Sequence, residues 1–435
     1  MPRITDPEQV QKRAKKDKMI DIERDSKIDY SRMSKEYPVQ VGPQFEGDKV
    51  RKDDFQVEFG GPNAKGVFFL RIREMDEVEN GKVTIIGSDI NEIEAGSSCA
   101  LGILVEVAGV GLERDMESVP ERRLHSYLNY LEGVWSSGLR ADAWIRIHKD
   151  SYRKGLNSFN ELGRIFADLF MADFSQIKKV ACTFITDPKK VEEIIAEAKK
   201  VYSERDQRVK DMREEDVEEF YSCTLCSSFA PSHVCIVTPD RPSLCGAMTW
   251  FDAKMTHTME PSGYVGKLDK KNLLDSINYE YEGVNEVVQK KSMGSSNRLY
   301  LHSIFSYPHT SCGCFQGLLF FIAKVNGVGY VHREFRGQIP TGRTFSSMAG
   351  EASGGKQTEG LVGASIEYLR SSKFLAGDGG FKRVVWLPKE IKEDLKNTIP
   401  EELFNKVATE DEVKNIEELV EFLKKVGHPV ITKKG

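Results

Sequence analysis

The chain has 435 residues, 40% of them hydrophobic, and its 62 basic and 67 acidic side chains leave a formal net charge of −5. That length and apolar content predict two or three domains with cores of their own and exclude a chain disordered throughout. The near balance of charge nominates neither nucleic acid nor an anionic membrane as a partner, and no stretch is long and apolar enough to span a bilayer.

The opening residues, MPRITDPEQVQKRAKKDK, have no apolar h-region and no small-residue cleavage site, so no secretory signal is expected and the cytoplasm is the expected location. Residues 1–37 read as a charged arm, with a solvated helical pattern after Pro7. Between residues 55 and 111 the runs DFQVEFGG, KGVFFLRIRE, GKVTIIGSDI and SCALGILVEVAGVG alternate or run apolar between Gly, Asn and Asp, which predicts strands. Helical patterns follow at 113–133 and 158–170, then a strand at 179–185. Strands interleaved with helices predict a middle α/β domain over residues 38–187.

Pro188 opens an amphipathic pattern in which Val191, Ile194, Ile195, Ala198, Val201 and Tyr202 recur at helical spacing, as in a connector helix. A second helical turn after Asp216 is expected to lead into Cys223. Beyond it, HVCIVTPD reads as a strand and GLLFFIAKVNGVGYVHREF as two strands joined through Asn326-Gly327. A helix is expected at 358–371, a strand at 383–387, and helices around 390–397 and 411–425, with Gly427 as a stop. The fold class is therefore α+β and multi-domain: the middle α/β domain followed by a cysteine-rich α+β domain over 188–435.

Six of the eight cysteines fall between residues 223 and 314. Cys223, Cys226, Cys235 and Cys245 form a C-x2-C-x8-C-x9-C run, enough thiolates for a cubane iron–sulfur cluster, with a structural zinc site as the plainer alternative. Cys312-Gly313-Cys314 cannot close a four-thiolate site. Its two sulfurs with the Gly313 and Cys314 amide nitrogens can instead form a flat S2N2 donor set through three fused, unstrained chelate rings. Such a set suits nickel(II) better than copper(II), which thiolates tend to reduce. Cys99 and Cys182 lie in apolar runs and read as packing residues. His233 lies between cluster cysteines but is not needed once four thiolates are present, so a packing or supporting role is expected. The stretch from Gly350 through Gly355-Lys356 mimics a phosphate loop, yet Gln357 stands where Ser or Thr belongs and no apolar strand precedes it.

On the residues CTLCSSFAPSHVC, TPDRPSLCGAMTW and SCGCF, the chain from about residue 37 onward resembles the carbon monoxide dehydrogenase/acetyl-CoA synthase family, specifically its acetyl-CoA synthase subunit. The resemblance implies a [4Fe-4S] cluster on the four-cysteine run, with Cys226 bridging to a proximal nickel. Cys312, Gly313 and Cys314 would hold a distal nickel while the two sulfurs also bridge to the proximal one. Phe229 would lie over the open face of that nickel. The Gly-rich stretch MAGEASGGKQTEGLVG resembles a family segment near the metal centre. The implied activity is acyl transfer: acetyl-CoA is assembled from, or cleaved to, carbon monoxide, coenzyme A and a methyl group carried by a methylated corrinoid iron–sulfur protein, with a carbon monoxide dehydrogenase subunit as the other partner. Because only 222 residues precede Cys223, the shorter archaeal form is expected, without the large N-terminal domain of bacterial members.

Trp135, Arg140, Trp144 and Arg146, in EGVWSSGLRADAWIRIH, offer stacking faces and guanidinium groups of the kind an adenine ring and phosphates require. With the family's middle domain as a guide they are candidates for binding coenzyme A, against the plainer reading of an aromatic core with surface arginines. A reading of a different class keeps the cluster but drops the nickel: a non-catalytic iron–sulfur electron-transfer or scaffold subunit.

Overall fold

The computed structural model describes residues 28–140, 142–227 and 230–432. The expected arm over 1–37 therefore lies mostly outside the described residues; its last part forms the helix Tyr30–Glu36, which Asp29 caps by accepting from the Arg32 amide. The described residues divide into two compact units, one of 28–210 and 254–263, the other of 211–253 and 264–432. The fold is α+β, with mixed sheets in each unit. Among the described residues no helix is long and apolar enough to cross a membrane.

The first unit carries strands β1 (Phe55–Gly60), β2 (Gly66–Ile72), β3 (Val83–Ile86), β4 (Ser97–Cys99), β5 (Leu101–Gly109), β6 (Val134–Leu139), β7 (Asp142–His148) and β8 (Ile177–Ile185). They form two four-stranded sheets, ordered β4-β1-β7-β6 and β2-β5-β8-β3. Along β7 buried and half-buried residues alternate, the mark of a sheet with one covered face. The helices Ser118–Asn129 and Phe159–Asp173 supply that cover: Leu124, Tyr127, Phe166 and Phe170 share one core with Val57, Phe59, Ile103 and Val105. The Trp- and Arg-rich stretch, read from sequence for its chemistry alone, is the β6–β7 hairpin.

The helix Pro188–Gln207 begins where expected, with Pro188 in its first turn and Asp187 accepting from the Lys190 amide at 2.9 Å. Expected to open the C-terminal domain, it instead groups with the first unit. Ala198, Val201 and Tyr202 pack on Val67 and Phe69 of β2, so its apolar stripe is spent on that sheet and the division between units falls after residue 210.

The second unit holds β9 (Glu219–Cys223), β10 (Cys235–Val237), β11 (Val265–Asp269), β12 (Leu273–Asp275), β13 (Glu280–Tyr281), β14 (Gly317–Ile322), β15 (Gly327–His332), β16 (Leu361–Ala364) and β17 (Val384–Trp386). Its sheets run β10-β9-β11, β12-β13 and β16-β14-β15-β17. Asn326 takes a left-handed turn at φ 51° between β14 and β15, as its Asn-Gly pair predicts. Two expectations differ. Cys223 is reached by a strand, because the helical turn stops at Glu214–Asp216 and the Phe220-Tyr221 pair is buried between two neighbouring strands. The helix expected over 358–371 is strand β16 followed by one short turn, Ile366–Leu369. Here packing overrides pattern: Phe315 fills the space a Gly363 side chain would occupy, a Cβ there meeting its ring at 2.7 Å.

Candidate metal centre

The first cysteine run is folded by a β-ladder. Cys223 ends β9, Cys235 begins β10, and the two stand directly opposite each other, so their side chains leave the same face. The intervening loop turns back twice, through Ser227 N–H to Thr224 O (2.9 Å) and Ala230 N–H to Cys226 O (3.0 Å), which presents Cys226 at its tip. Ser228 and Phe229, the latter expected over the open metal face, lie outside the described residues. Beyond β10 the chain is anchored by charge. Thr238 Oγ1 donates to Glu214 at 2.6 Å, the Glu214 amide donates to Asp240 at 2.9 Å, and Lys373 bridges Glu214 and Asp240. This fixes the approach to Cys245, whose sulfur lies 3.4 Å from Ser243 Oγ.

The second motif is held by the backbone on both sides. Gly354 N–H donates to Cys312 O (3.3 Å), Gly355 N–H to Ser311 O (2.8 Å), and Gln316 N–H to Leu244 O (2.9 Å), which joins it to the first motif. The Gly-rich stretch after the helix Phe345–Ala352 thus lies against the Cys-Gly-Cys segment. Ser232 also donates to Gly355 O at 3.1 Å, so one loop touches both cysteine runs. Two histidines complete the joint. His309 donates from Nδ1 to Thr310 O (2.7 Å) and accepts at Nε2 from Ile236 N–H (3.0 Å), which makes it a neutral strut. Burial pushes His233 down to about 4; its Nδ1 lies 2.9 Å from Thr310 Oγ1. Sequence reading missed His309, because nothing in its spacing separates it from other core histidines.

The sulfurs of Cys226, Cys312 and Cys314 lie within 4.8 Å of one another, Cys312 buried and the other two half-buried. Hydrogen bonding to Cys312 and Cys314, together with burial, pushes the Cys226 thiol well up. Three crowded thiols cannot all ionise without a cation, and the set is of a kind that could hold a soft metal ion by releasing protons. Gly313 has φ 128° and the Cys314 amide lies 3.2 Å from the Cys312 sulfur, so nitrogen and sulfur donors of the tripeptide face one another. Cys223, Cys235 and Cys245 are not in that close set. A cubane does not ask it of them, since each of its thiolates binds a different iron. Of the remaining cysteines, Cys182 is buried, its thiol pushed up to about 12 by burial, and Cys99 is half-buried.

In the first unit the hairpin register places Trp135 opposite Arg146 and Ser137 opposite Trp144. The indoles meet edge to face at 4.8 Å and the Arg146 guanidinium lies over both. Glu58, buried and not singled out from sequence, ties the group together: it accepts from Arg146 Nε at 2.7 Å and from Trp144 Nε1 at 2.9 Å. Arg140 stands apart at the hairpin end, paired with Asp206 at 2.6 Å and lying over Tyr202. Three of the four candidates are thus one cluster and the fourth is not.

Comparison with known proteins gives consistent matches. The family model for the C-terminal part of the ACS/CODH beta subunit matches residues 202–435, and that described as CO dehydrogenase/acetyl-CoA synthase complex beta subunit matches 37–191. Acetyl-CoA decarbonylase/synthase complex subunit beta 2 of Methanocaldococcus jannaschii is 48% identical over 403 residues, 93% of this chain and 85% of that protein. Subunit beta 1 of the same organism is 49% identical over 396 residues, 91% of this chain but 52% of its own length, so the chain spans about half of that relative. A solved C-terminal domain of the Alpha subunit of acetyl-Coenzyme A synthase is 33% identical, covering 28% of this chain and 98% of its own, with a TM-score of 0.27.

Proposed function

As the chain belongs to the beta-subunit family of the CO dehydrogenase/acetyl-CoA synthase complex, we propose that it is the subunit in which acetyl-CoA is assembled or cleaved. The observation that carries this reading is the convergence of Cys226, Cys312 and Cys314 from two separate motifs onto one point. A structural tetrathiolate site would have no use for that second pair of sulfurs.

The donor set fits the metals the family implies. Cys223, Cys226, Cys235 and Cys245 would hold a [4Fe-4S] cluster; Cys312, Gly313 and Cys314 would hold one nickel through two sulfurs and two amide nitrogens, and Cys226, Cys312 and Cys314 a second. The latter nickel, when bound, supplies a coordinatively open centre at which carbon monoxide and a methyl group are joined and acetyl is passed to the coenzyme A thiol. The chain's own residues hold that place open and fixed. Half-burial of Cys226 and Cys314 leaves reactants a way in, while buried Cys312, the His309 strut and the Gly354–Gly355 backbone keep the sulfurs from drifting. Phe229, three residues after Cys226, would shape the open face. Trp135, Trp144 and Arg146 would take the adenine and phosphate end of coenzyme A, with Arg140 as an outlying contact. A carbon monoxide dehydrogenase subunit and a methylated corrinoid protein would be the partners that deliver the other two groups.

Metal quantitation on anaerobically prepared chain, beside an assay for exchange between carbon monoxide and acetyl-CoA, tests the reading. Iron with about two nickel ions per chain and measurable exchange is expected. Iron without nickel and no exchange would make it an electron-transfer or scaffold subunit instead.

A further inference from the structure

The hydrogen-bonding groups of Ser243 are spent on residues 244–248, and the loop they close surrounds Cys245. The Ser243 amide donates to Met248 O at 2.9 Å, and its carbonyl accepts from the Gly246 amide at 2.9 Å. Its hydroxyl oxygen accepts from the Met248 amide at 3.0 Å and lies 3.4 Å from the Cys245 sulfur.

The chain can double back this tightly because Gly246 takes φ 68°, in the left-handed region that suits glycine. A Cβ at that position would run into the side chains of Gln316 and Glu367, so the loop is closed from outside as well. Ser243 is 2% exposed, and Leu244 and Met248 are buried beside it. The hydroxyl and the sulfur therefore meet in a dry setting, where a hydrogen bond is stronger than in water.

The direction of that bond follows from its neighbours. Among the described residues the hydroxyl hydrogen has no acceptor other than the Cys245 sulfur. Were the thiol to donate instead, the hydroxyl hydrogen would be buried with nothing to accept it, which is unfavourable. A thiolate bound to a metal has no hydrogen to give, so in a loaded centre the serine is the only possible donor of the two.

Resting on the assignment of a [4Fe-4S] cluster to Cys223, Cys226, Cys235 and Cys245, we propose that Ser243 is a positioning residue that tunes this cluster: its hydroxyl donates to the Cys245 thiolate and raises the reduction potential. Reduction adds one electron and no proton, and the hydrogen stays on the serine oxygen. Part of the added charge falls on the thiolate sulfurs and makes them better acceptors. A donor held at one of them thus stabilises the reduced form more than the oxidised form.

The test is an electron-paramagnetic-resonance redox titration of the full chain, its cluster reconstituted anaerobically and dithionite supplying the electrons, after iron content and visible absorption have shown that the cluster is present. Ser243→Ala removes the hydroxyl and Ser243→Thr keeps it. The alanine variant is expected to lower the equilibrium constant for reduction about tenfold, about 59 mV for a one-electron couple, and the threonine variant to stay near the parent value. A purely structural role would lower iron content or melting temperature without moving the potential of the clusters that remain. An unchanged potential in iron-replete Ser243→Ala, or a threonine variant shifted as far as the alanine one, would overturn the inference and leave the cluster assignment standing. So would an alanine variant that fails to fold or to hold iron, because the hydroxyl would then support the loop and not the potential. A parent chain that binds no cluster would overturn both.

Discussion

The Cys314 amide nitrogen points at the Cys312 sulfur across 3.2 Å, and the residue between them, Gly313, sits at φ 128°. The backbone turn that brings both donors to one side therefore depends on a conformation that residues with a side chain rarely adopt.

Two substitutions at this position separate conformation from chemistry. Gly313→Pro forces φ near −65° and removes the amide proton, so it should lose the nickel of the S2N2 site while retaining iron. Gly313→Ala keeps the amide. A new Cβ would find only Ser353 at 3.5 Å, an ordinary contact, so its penalty is the backbone strain, about 1–2 kcal/mol. Intermediate nickel retention and a lowered melting temperature are expected for alanine. Metal analysis on variants with intact circular dichroism checks this, and full nickel in the proline variant would remove the amide donors from the site.

Gly355→Ala should be far more harmful than Gly350→Ala, although both lie in one glycine-rich stretch. At Gly355, with φ 79°, a Cβ would meet Ser232 Oγ at 2.3 Å and the His233 amide nitrogen at 2.7 Å; at Gly350 it would meet nothing within 4 Å. We expect Gly355→Ala to cost roughly 2–4 kcal/mol and to loosen metal binding, and Gly350→Ala, inside a helix, to gain roughly 0.5–1 kcal/mol. Equal melting temperatures would contradict the placement of the loop.

Glu214 predicts the acid limit of the second unit. Burial alone would raise its carboxyl, but His302, Lys373 and the Thr238 hydroxyl overcome that and hold it at about 2, below its ordinary 4.5. A depressed value means the ionised form is favoured by folding. The stabilisation is complete above about 4.5 and fades as pH falls from there toward 2, by on the order of 3 kcal/mol. Urea midpoints measured from pH 6 down to pH 3 should fall for the parent chain. Glu214→Gln should start lower and show a flatter slope; parallel slopes would discount the group.

Brief chelation should remove one nickel before the other. In the proposed centre an ion held by thiolates alone would lack the fused chelate of its neighbour, so one nickel is expected to leave with the activity, and nickel and activity to return together on adding nickel. Simultaneous loss of the two, or activity surviving the loss of one, would count against the assignment.

In the first unit, Trp135→Ala should raise the coenzyme A concentration needed for half-maximal exchange by about tenfold, the worth of one good aromatic contact, while leaving iron and nickel unchanged. Arg140→Ala should have a smaller effect, because Asp206 already engages that guanidinium. No change in either variant would move the binding site elsewhere.

The candidate metal-binding cysteines stand out in the sequence because they are marked by short spacing, C-x2-C and Cys-Gly-Cys, and the fold brings Cys226, Cys312 and Cys314 together. The Asn326-Gly327 turn and the Asp187-Pro188 helix start were legible for a similar reason, each being a local backbone preference. What was not legible depends on partners far off in sequence. Residues 358–371 were expected as a helix, and it is the pairing of β16 with β14 and the Phe315 ring over Gly363 that make 361–364 a strand. Glu58 and His309 look unremarkable alone; each matters through a group brought beside it by the fold.

Ser232 and the Gly355 carbonyl it bonds are 123 residues apart in the chain, and Ile236 and His309 are 73 apart. During synthesis the thiols of the first cysteine run will therefore have left the ribosome before the segments that clamp them have been made, and closing so long a loop is slow. A nascent chain in this interval is a set of loose, oxidisable sulfurs with no fixed order. The long tether between cysteines and clamp thus means that the sulfurs of the first run cannot be held in their final places until the chain has been made past residue 355.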